Sequence, residues 1–260
     1  MIGIIGGSGL YNIEGVVMKK AKRFSTPFGS PSDSYIIGEL SGRDVVFLPR
    51  HGCRHDIPPH RINYRANIWG FKKLGVERVV SVGAAGGINQ GMKPGMIVVL
   101  DQIIDMTKGR DGTFFEGKGG VIHVDLTEPY CPELRESIIL AGEKAGIKLK
   151  KSGTYVCTNG PRLETKAEIH FFSAIGADVV GMTAMPEASL AREAELCYAG
   201  ISVISNYAAG IREKKLTVKE VIEVMNKTAG QIRELLTMIF EQTPVERRCA
   251  CREALKEAKV

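Results

Sequence analysis

The 260-residue chain lacks several features that would point directly to a class of protein. No run approaches the ~18 consecutive apolar residues that a membrane-spanning helix needs. No basic segment precedes an apolar one at the N-terminus, so we expect no signal peptide and a cytoplasmic location. Basic residues are dispersed, and their densest run, Arg247-Arg248, has no aromatic neighbours for base stacking. We therefore expect no membrane and no nucleic-acid partner.

The short motifs of several enzyme classes are also missing. There is no serine-hydrolase elbow, no HExxH, and no Gly-Lys-Ser/Thr that would turn the first glycine cluster into a P-loop. The dinucleotide fingerprint fails as well, because the third glycine position counted from Gly7 is Asn12. No acidic ribose ligand follows about 20 residues later, which disfavours a nicotinamide-dependent oxidoreductase.

Six cysteines are present, and two of them form the unusual pair Cys249-Ala250-Cys251. Zinc sites usually join two such pairs, and the sequence contains no second one, so we expect no metal. A strained vicinal disulfide and two separate surface thiols both remain open. The formal net charge of +6 suits an anionic ligand, but it suits an ordinary solvated surface at least as well.

From residue 62 onward, predicted strands alternate with predicted helices. This alternation predicts an α/β fold, with one central mixed sheet flanked by helices on both faces. Ser41-Gly42 predicts a hairpin turn, and Thr165 with Glu168 predicts a capping box at a helix start. Since no linker or repeat interrupts the pattern, we expect residues 1–260 to form one domain, with 243–260 as a C-terminal tail that carries the cysteine pair.

The first two candidate sites lie where early strands end. The glycines of Gly6-Gly7-Ser8-Gly9 let backbone N–H groups converge on an anion, although a purely structural turn is an equal alternative. In the segment 49–55, Arg50 could fork onto a phosphate and His51 could donate a second bond. A metal site built from His51, Cys53, His55 and His60 is disfavoured, because Gly52 and Pro58-Pro59 interrupt any rigid array.

Three later clusters have similar chemistry. The run Gly83-Ala84-Ala85-Gly86-Gly87 lets a flat ligand or a phosphate approach the backbone, or else allows close helix–strand packing. Glu164 lies before a helix, where it could accept from a ligand N–H or simply face the helix dipole. Asn206 ends a strand, where turn chemistry is the alternative. Separately, these sites indicate only an α/β enzyme with an anionic ligand.

Together and in this order, the motifs resemble the purine nucleoside phosphorylase and methylthioadenosine phosphorylase family over nearly the whole chain. The segments that carry the resemblance are 4–9, 49–52, 63–69, 160–162, 181–183 and 186–187. The resemblance implies phosphorolysis of purine nucleosides in purine salvage, with inorganic phosphate as co-substrate and no cofactor. It also implies a homotrimer or homohexamer with sites at the subunit interfaces.

The resemblance implies a role for each matching residue. Phosphate would be held by Ser8, Arg50, His51, Gly83, Ala84 and Thr183. The nucleoside would be held by Ala85, Gly86, Leu163, Glu164, Met182, Asn206, Tyr207, Ala208, Val218 and Val221, with His123 supplied by a neighbouring subunit. Asn206, His51 and Ser8 would be the catalytic residues. Thermophilic relatives further suggest a Cys131–Cys197 disulfide and an oxidised Cys249–Cys251 pair.

The chain departs from one branch of this family at the base site. Adenine-directed members carry Asp-Tyr-Asp where this sequence reads Asn206-Tyr207-Ala208. An Asn amide can donate to N7 or O6 of a 6-oxopurine, and Glu164 can accept from its N1–H. Adenine has no proton on N1, so Glu164 would oppose it acceptor against acceptor, which is costly in a buried site.

The pocket for the 5′ group is less decisive. Val218 and Val221 stand where a polar residue would meet a 5′-hydroxyl, which suits a methylthio group, although both valines could be ordinary core. We expect a 6-oxopurine nucleoside phosphorylase acting on inosine and guanosine, with 5′-methylthioinosine as a further substrate that the pocket would suit. The alternatives are a methylthioadenosine phosphorylase, a broad-specificity phosphorylase, and a purine sensor without turnover.

Overall fold

The computed structural model describes residues 1–6, 16–117, 120–213 and 217–260. Its centre is one large mixed β-sheet with helices on both faces, which confirms the predicted fold class. The strands of the described residues are β1 Ile2–Gly6, β2 Val17–Lys22, β3 Tyr35–Leu40, β4 Arg43–Pro49, β5 Arg78–Gly87, β6 Ile97–Val99, β7 Gln102–Asp105, β8 Leu149–Lys150, β9 Thr154–Cys157, β10 Val179–Gly181 and β11 Cys197–Tyr207.

The sheet order along its main path is β2-β3-β4-β1-β5-β10-β9-β7, and β11 lies against β5 and β6, with β8 beside β6. Five helices flank this sheet in the described part of the chain: α1 Tyr64–Lys73, α2 Pro132–Lys144, α3 Lys166–Ala174, α4 Ala184–Glu193 and α5 Val218–Gln242. Among these residues, none of the helices is both long enough and apolar enough to cross a lipid bilayer.

Two apolar layers hold the helices to the sheet. Helices α2 and α5 pack on one face through buried side chains such as Ile138 and Leu236, and α1 and α4 pack on the other through Phe71 and Leu190. In the sequence, the apolar residues of these helices recur at helical spacing, because a packed helix must turn one apolar stripe toward the sheet. Burial on both faces also explains why β5 and β11 are almost uniformly apolar or small.

The predicted local signals are confirmed at the hairpin and at the start of α3, and α5 begins with a similar cap. Ser41 and Gly42 have φ values of 50° and 72°, as a two-residue hairpin turn requires. Thr165 accepts from the backbone N–H of Glu168, whose carboxylate accepts in return from the Thr165 N–H. Thr217 caps α5 by accepting from the Glu220 N–H. These features form locally because side-chain oxygens satisfy the unpaired N–H groups of a first turn.

The end of β11 differs from the prediction. Asn206 was expected to end a strand, yet β11 continues through Tyr207, and β5 beside it continues through Gly87. A bulge between Ile204 and Asn206 interrupts their register. Backbone pairing over the whole length of both strands outweighs the local preference of asparagine for turns.

The C-terminal tail packs against the body of the chain. The guanidinium of Arg247 donates to the Glu195 carbonyl oxygen at 2.8 Å, and Cys251 is buried. All six cysteines lie in the described residues and are unbonded, so the disulfide implied for Cys131 and Cys197 is not present. Instead, these two thiols meet Cys249 and Cys251, with all four sulfurs within 4.8 Å of one another. Tertiary structure thus supplies the second pair of cysteines that the sequence does not show.

Candidate active site

A gap between two neighbours of β5 creates the candidate site. Strand β1 pairs with β5 as far as Val82, whereas β10 pairs with it only at Gly86 and Gly87. Along this side, residues 83–85 therefore have no strand partner among the described residues. A cavity of about 200 Å³ opens at this place. Ligands in α/β sheets commonly bind where strands end in this way.

The cavity brings together most of the residues that the sequence nominated, although their roles stay predictions. Those on its wall are Arg50, His51, Gly83, Ala84, Ala85, Gly86, Leu163, Glu164, Met182, Thr183, Asn206, Ala208 and Val221. Five further wall residues were not predicted: His55, Pro59, Val180, Gly181 and Ser205. Gly181 lies in the motif 181–183 and His55 in the segment 49–55, but neither was assigned a role in binding the nucleoside or phosphate. The other three are only neighbours of motifs, so their signal was weak.

Three predicted substrate residues lie off this wall, and one cannot be placed. Val218 is 71% exposed, because only Val221, one turn further along α5, faces the cavity. The ring of Tyr207 lies under the Arg212 guanidinium, 5.0 Å away, and not on the wall. His123 is exposed and its backbone N–H donates to the Ala258 carbonyl, so it is not part of the cavity of its own chain. Ser8 lies outside the described residues.

A buried ion pair holds Arg50 at one end of the cavity. Both residues of the pair are almost completely buried, and Arg50 Nε lies 2.5 Å from Glu187 Oε1. Glu187 also accepts from the Tyr198 hydroxyl at 2.8 Å. Burial opposes the charge on Arg50, but the Glu187 carboxylate more than offsets it, so the pKa of the guanidinium stands above its usual value. Arg50 is thus a permanently charged, rigidly held cation.

Counting donors shows what Arg50 can still offer to a ligand. Its Nη2 donates to Ser81 Oγ and to Glu187, and one Nη1 proton goes to the Val82 carbonyl oxygen. A guanidinium carries five N–H groups, so one proton on Nη1 remains. Nη1 lies beside Gly83, where an added Cβ would be 3.7 Å away. The free proton on Nη1 therefore lies next to the backbone of residues 83–85, which has no strand partner on this side.

The backbone of β5 adds a second donor at the same place. The Val82 carbonyl points to the gap side of the strand, since Arg50 bonds to it, whereas the Ala85 carbonyl points to β11, with its oxygen 3.3 Å from Ser205 Oγ. Strand residues alternate sides, so the Ala84 N–H points into the gap with Val82. No strand of the described residues accepts from it there. It supplements Arg50 as a donor for an anion.

His51 is an acceptor toward the cavity and not the donor that we predicted. Its Nδ1 lies 2.8 Å from the Ile57 carbonyl oxygen, so Nδ1 carries the proton. Burial, together with the nearby Arg50 charge, lowers the pKa of His51 to about 4. The ring is therefore neutral near pH 7, and its Nε2 presents a lone pair. The His55 ring packs against it at a tilt of 34°, with ring centroids 4.5 Å apart.

Asn206 has a defined amide orientation at the other end of the cavity. Its Oδ1 accepts from Ser205 Oγ at 2.7 Å, and its Nδ2 donates to the Tyr207 carbonyl oxygen at 2.9 Å. The second Nδ2 proton remains, and Nδ2 lies beside the wall residue Gly86. The bulge at Ser205 turns the side chain inward, as bulges next to active sites often do. Asn206 therefore presents a donor.

On the same wall, Glu164 supplies a hydrogen-bond acceptor. The hydroxyl of Thr158, the residue after β9, donates to Glu164 Oε1 at 2.7 Å. This bond fixes one carboxylate oxygen and leaves the other for a ligand donor. Sequence reasoning missed Thr158, because nothing about an isolated threonine at a strand end marks it as a partner of a residue six positions away. We regard Thr158 as a positioning residue.

Thr183 and Met182 are adjacent residues on the wall of the cavity. Thr183 precedes α4, and in the described structure its hydroxyl makes no capping bond to that helix but contacts the Tyr155 hydroxyl. Its backbone N–H donates to the Tyr155 hydroxyl at 3.3 Å. Met182 packs against Gly160, where a side chain would overlap the methionine sulfur. Met182 thus adds an apolar surface to the wall.

The cavity therefore has two chemically distinct ends. The end beside Gly83 offers a fixed cation and a backbone N–H, which together suit a tetrahedral oxyanion. The other end places an amide donor and a carboxylate acceptor around small residues, which suits the edge of a flat heterocycle. The groups on the wall include no nucleophile activated by a neighbouring base.

Comparison with known proteins identifies the family of the chain. The model of the phosphorylase superfamily matches residues 1–241. A probable S-methyl-5′-thioinosine phosphorylase of Thermodesulfovibrio yellowstonii is 51% identical, covering 99% of this chain and 96% of that protein. A 6-oxopurine nucleoside phosphorylase of Pyrococcus furiosus is 49% identical over 99% and 98% of the two chains.

A solved structure resembles the fold over the same extent. It is a methylthioadenosine phosphorylase from Schistosoma mansoni in complex with adenine, with a TM-score of 0.95 and 33% identity, covering 99% of this chain and 98% of that one. The matched residues 1–241 include every residue that forms the cavity, and the relatives cover nearly the whole chain. The chain belongs to the phosphorylase superfamily.

Proposed function

We propose that this chain splits 6-oxopurine nucleosides with inorganic phosphate, giving the free purine and a pentose 1-phosphate. As a nucleoside phosphorylase, it is a pentosyltransferase. The observation that carries the proposed specificity is the pairing of a donor on Asn206 with an acceptor on Glu164 in one cavity. A 6-oxopurine matches this pair, because its O6 and N7 accept protons and its N1–H donates one.

The proposed reaction follows from the two ends of the cavity. The C1′–N9 bond breaks and a phosphate oxygen forms a bond to C1′, while the sugar passes through an oxocarbenium-like state. Phosphate held by Arg50, the Ala84 N–H and Thr183 lies beneath the positive sugar and stabilises it. The electron pair of the broken bond goes to the purine, where the Asn206 N–H stabilises the charge developing at N7 and O6. These steps need no covalent enzyme intermediate.

His51 has a specific part in this proposal. Phosphate near pH 7 carries a proton on part of its population, and a P–O–H group can donate to the Nε2 lone pair of His51. The anion would thus give one hydrogen bond to His51 and accept the others from Arg50, Ala84 and Thr183. Ser8 is a further proposed phosphate ligand, on the strength of the sequence motif alone.

The 5′ end of the nucleoside is proposed to meet Val221. An apolar wall there suits a methylthio group, which supports 5′-methylthioinosine as a substrate beside inosine and guanosine. The same feature favours methylthioadenosine phosphorylase as a second candidate, and the structural relative from Schistosoma mansoni is such an enzyme. Asn206 and Ala208 argue against it, because Ala208 has no polar atom in its side chain to accept from a 6-amino group.

We also propose that a neighbouring copy completes the site. Val218 is exposed one helical turn from Val221, and His123 is exposed on its own chain, so both are accessible to a second subunit. A homotrimer or homohexamer acting in purine salvage in the cytoplasm would follow from the family resemblance. Analytical ultracentrifugation of the purified chain tests the assembly.

A substrate panel tests the proposed specificity. In phosphate buffer, we expect inosine and 5′-methylthioinosine to be cleaved with kcat/KM at least about 100-fold above that of the matching 6-aminopurine nucleosides, because Glu164 opposes N1 of adenine. Turnover should vanish when phosphate is omitted. Each pair shares its 5′ group, so the ratio isolates the base. Equal or faster cleavage of methylthioadenosine would overturn the proposal.

A second prediction concerns Thr158 as the residue that positions Glu164. Thr158→Val removes the 2.7 Å bond and should lower kcat/KM for inosine about 5- to 20-fold. In a Glu164→Gln background the same change should have little further effect, since the two residues act as one unit. Thr237→Val, whose hydroxyl bonds only within α5, is the matched control. Additive losses in the double variant would contradict the assignment.

A third prediction uses sulfate, which has no proton to give to His51 near neutral pH. Sulfate should bind well only when His51 is protonated and donates, so its Ki against phosphate should fall about tenfold for each unit of pH decrease above the His51 pKa of about 4. Inhibition assays between about pH 5.5 and 7.5 measure this slope, because the neutral His51 ring dominates throughout that range. His51→Gln, whose amide can donate at any pH, should remove it. A pH-independent Ki for the parent chain would refute the acceptor role.

A further inference from the structure

Four of the six cysteines come together beneath the C-terminal tail, outside the cavity. The Sγ atoms of Cys131, Cys197, Cys249 and Cys251 all lie within 4.8 Å of one another, and those of Cys197 and Cys249 are 3.3 Å apart. Cys131 precedes α2, Cys197 begins β11, and the other two flank Ala250 in the tail. We call these four residues the cysteine cluster.

The cysteine cluster has nearly the dimensions of a tetrahedral metal cage. With zinc–sulfur bonds of about 2.3 Å, the sulfurs of a four-cysteine site lie roughly 3.8 Å apart. The observed upper limit of 4.8 Å is only about 1 Å wider, so small rotations of the side chains would close the cage. Three of the residues are buried and Cys249 is half-buried. Closed, four-ligand, all-thiolate sites are typical of structural zinc.

Nearby charges favour thiolates at this position. Arg192 Nη1 lies 3.6 Å from Cys251 Sγ, and the same side chain is held by the carbonyl oxygen of Glu128. Cys131 occupies the N-cap of the 13-residue helix α2, where the helix dipole stabilises negative charge. A zinc ion bound by four thiolates carries a net charge of −2, which both features would partly offset.

We propose that the cysteine cluster binds one zinc ion, which fastens the C-terminal tail to α2 and β11. Zinc takes the place of four thiol protons, which leave to solvent, and no oxidant or reductant takes part. The cysteine pair of the tail then has the partner pair that zinc sites need, contributed by two residues distant in the sequence. The proposal is independent of the phosphorolysis argued above.

Zinc content of the full-length chain tests the proposal. Protein purified with reductant and without chelator should contain about one zinc per chain by plasma mass spectrometry. Cobalt added to metal-free, reduced protein should give the visible absorption of tetrahedral cobalt bound by four thiolates. Metal removal should lower Tm by at least about 5 °C, because the ion binds only the folded tail.

Matched variants locate the site. Cys249→Ser and Cys251→Ser should lose the zinc and the cobalt spectrum, whereas Cys53→Ser, which changes an exposed cysteine outside the cluster, should retain both. If the serine variants fail to fold, cobalt titration of the parent chain decides the question. Absence of zinc and of the cobalt spectrum would overturn the proposal. So would an intact mass lighter by four hydrogens in protein purified without oxidant, since the cluster would then hold two disulfides.

Discussion

The buried ion pair between Arg50 and Glu187 determines which donors remain at the anion end of the cavity. Breaking such a pair typically costs about 3–5 kcal/mol, because one charge is left buried without its partner. Glu187, Ser81 and the Val82 carbonyl occupy all but one proton of the guanidinium. The ion pair therefore holds the otherwise flexible Arg50 side chain in one position, where it offers a single N–H donor in a fixed direction. Helix α4 contributes Glu187, β5 contributes Ser81 and the Val82 carbonyl, and Arg50 directly follows β4, so all three elements must be in place before the site exists.

The base end depends on a backbone irregularity in the same way. The bulge at Ser205 turns the Asn206 side chain inward, and the Ser205 hydroxyl then sets which end of the amide faces the cavity. Thr158 has the corresponding effect on Glu164. Donor and acceptor are thus fixed before a ligand arrives, so a matched purine loses little orientation entropy on binding, and a mismatched one leaves buried polar groups unpaired.

The sequence predicted the fold class, the hairpin, the helix caps and most of the cavity wall, because these depend on local patterns or on recognisable motifs. It could not separate Val218 from Val221, since helical spacing alone does not show which of two neighbouring turns is covered. It missed Thr158 and the acceptor role of His51, because both follow from a single hydrogen bond made in the folded chain. The cysteine cluster was hidden for the same reason: its four members become neighbours only through tertiary packing.

A crystal structure with hypoxanthine and phosphate bound tests the central claim most directly. The account predicts phosphate against Arg50 Nη1, the Ala84 N–H, His51 Nε2 and the Thr183 hydroxyl, with the purine O6 and N7 facing Asn206 Nδ2 and its N1–H facing Glu164. Glu187 should still hold Arg50 as it does in the unliganded chain. A purine bound with its edge away from Asn206 and Glu164, or phosphate bound elsewhere, would contradict the account.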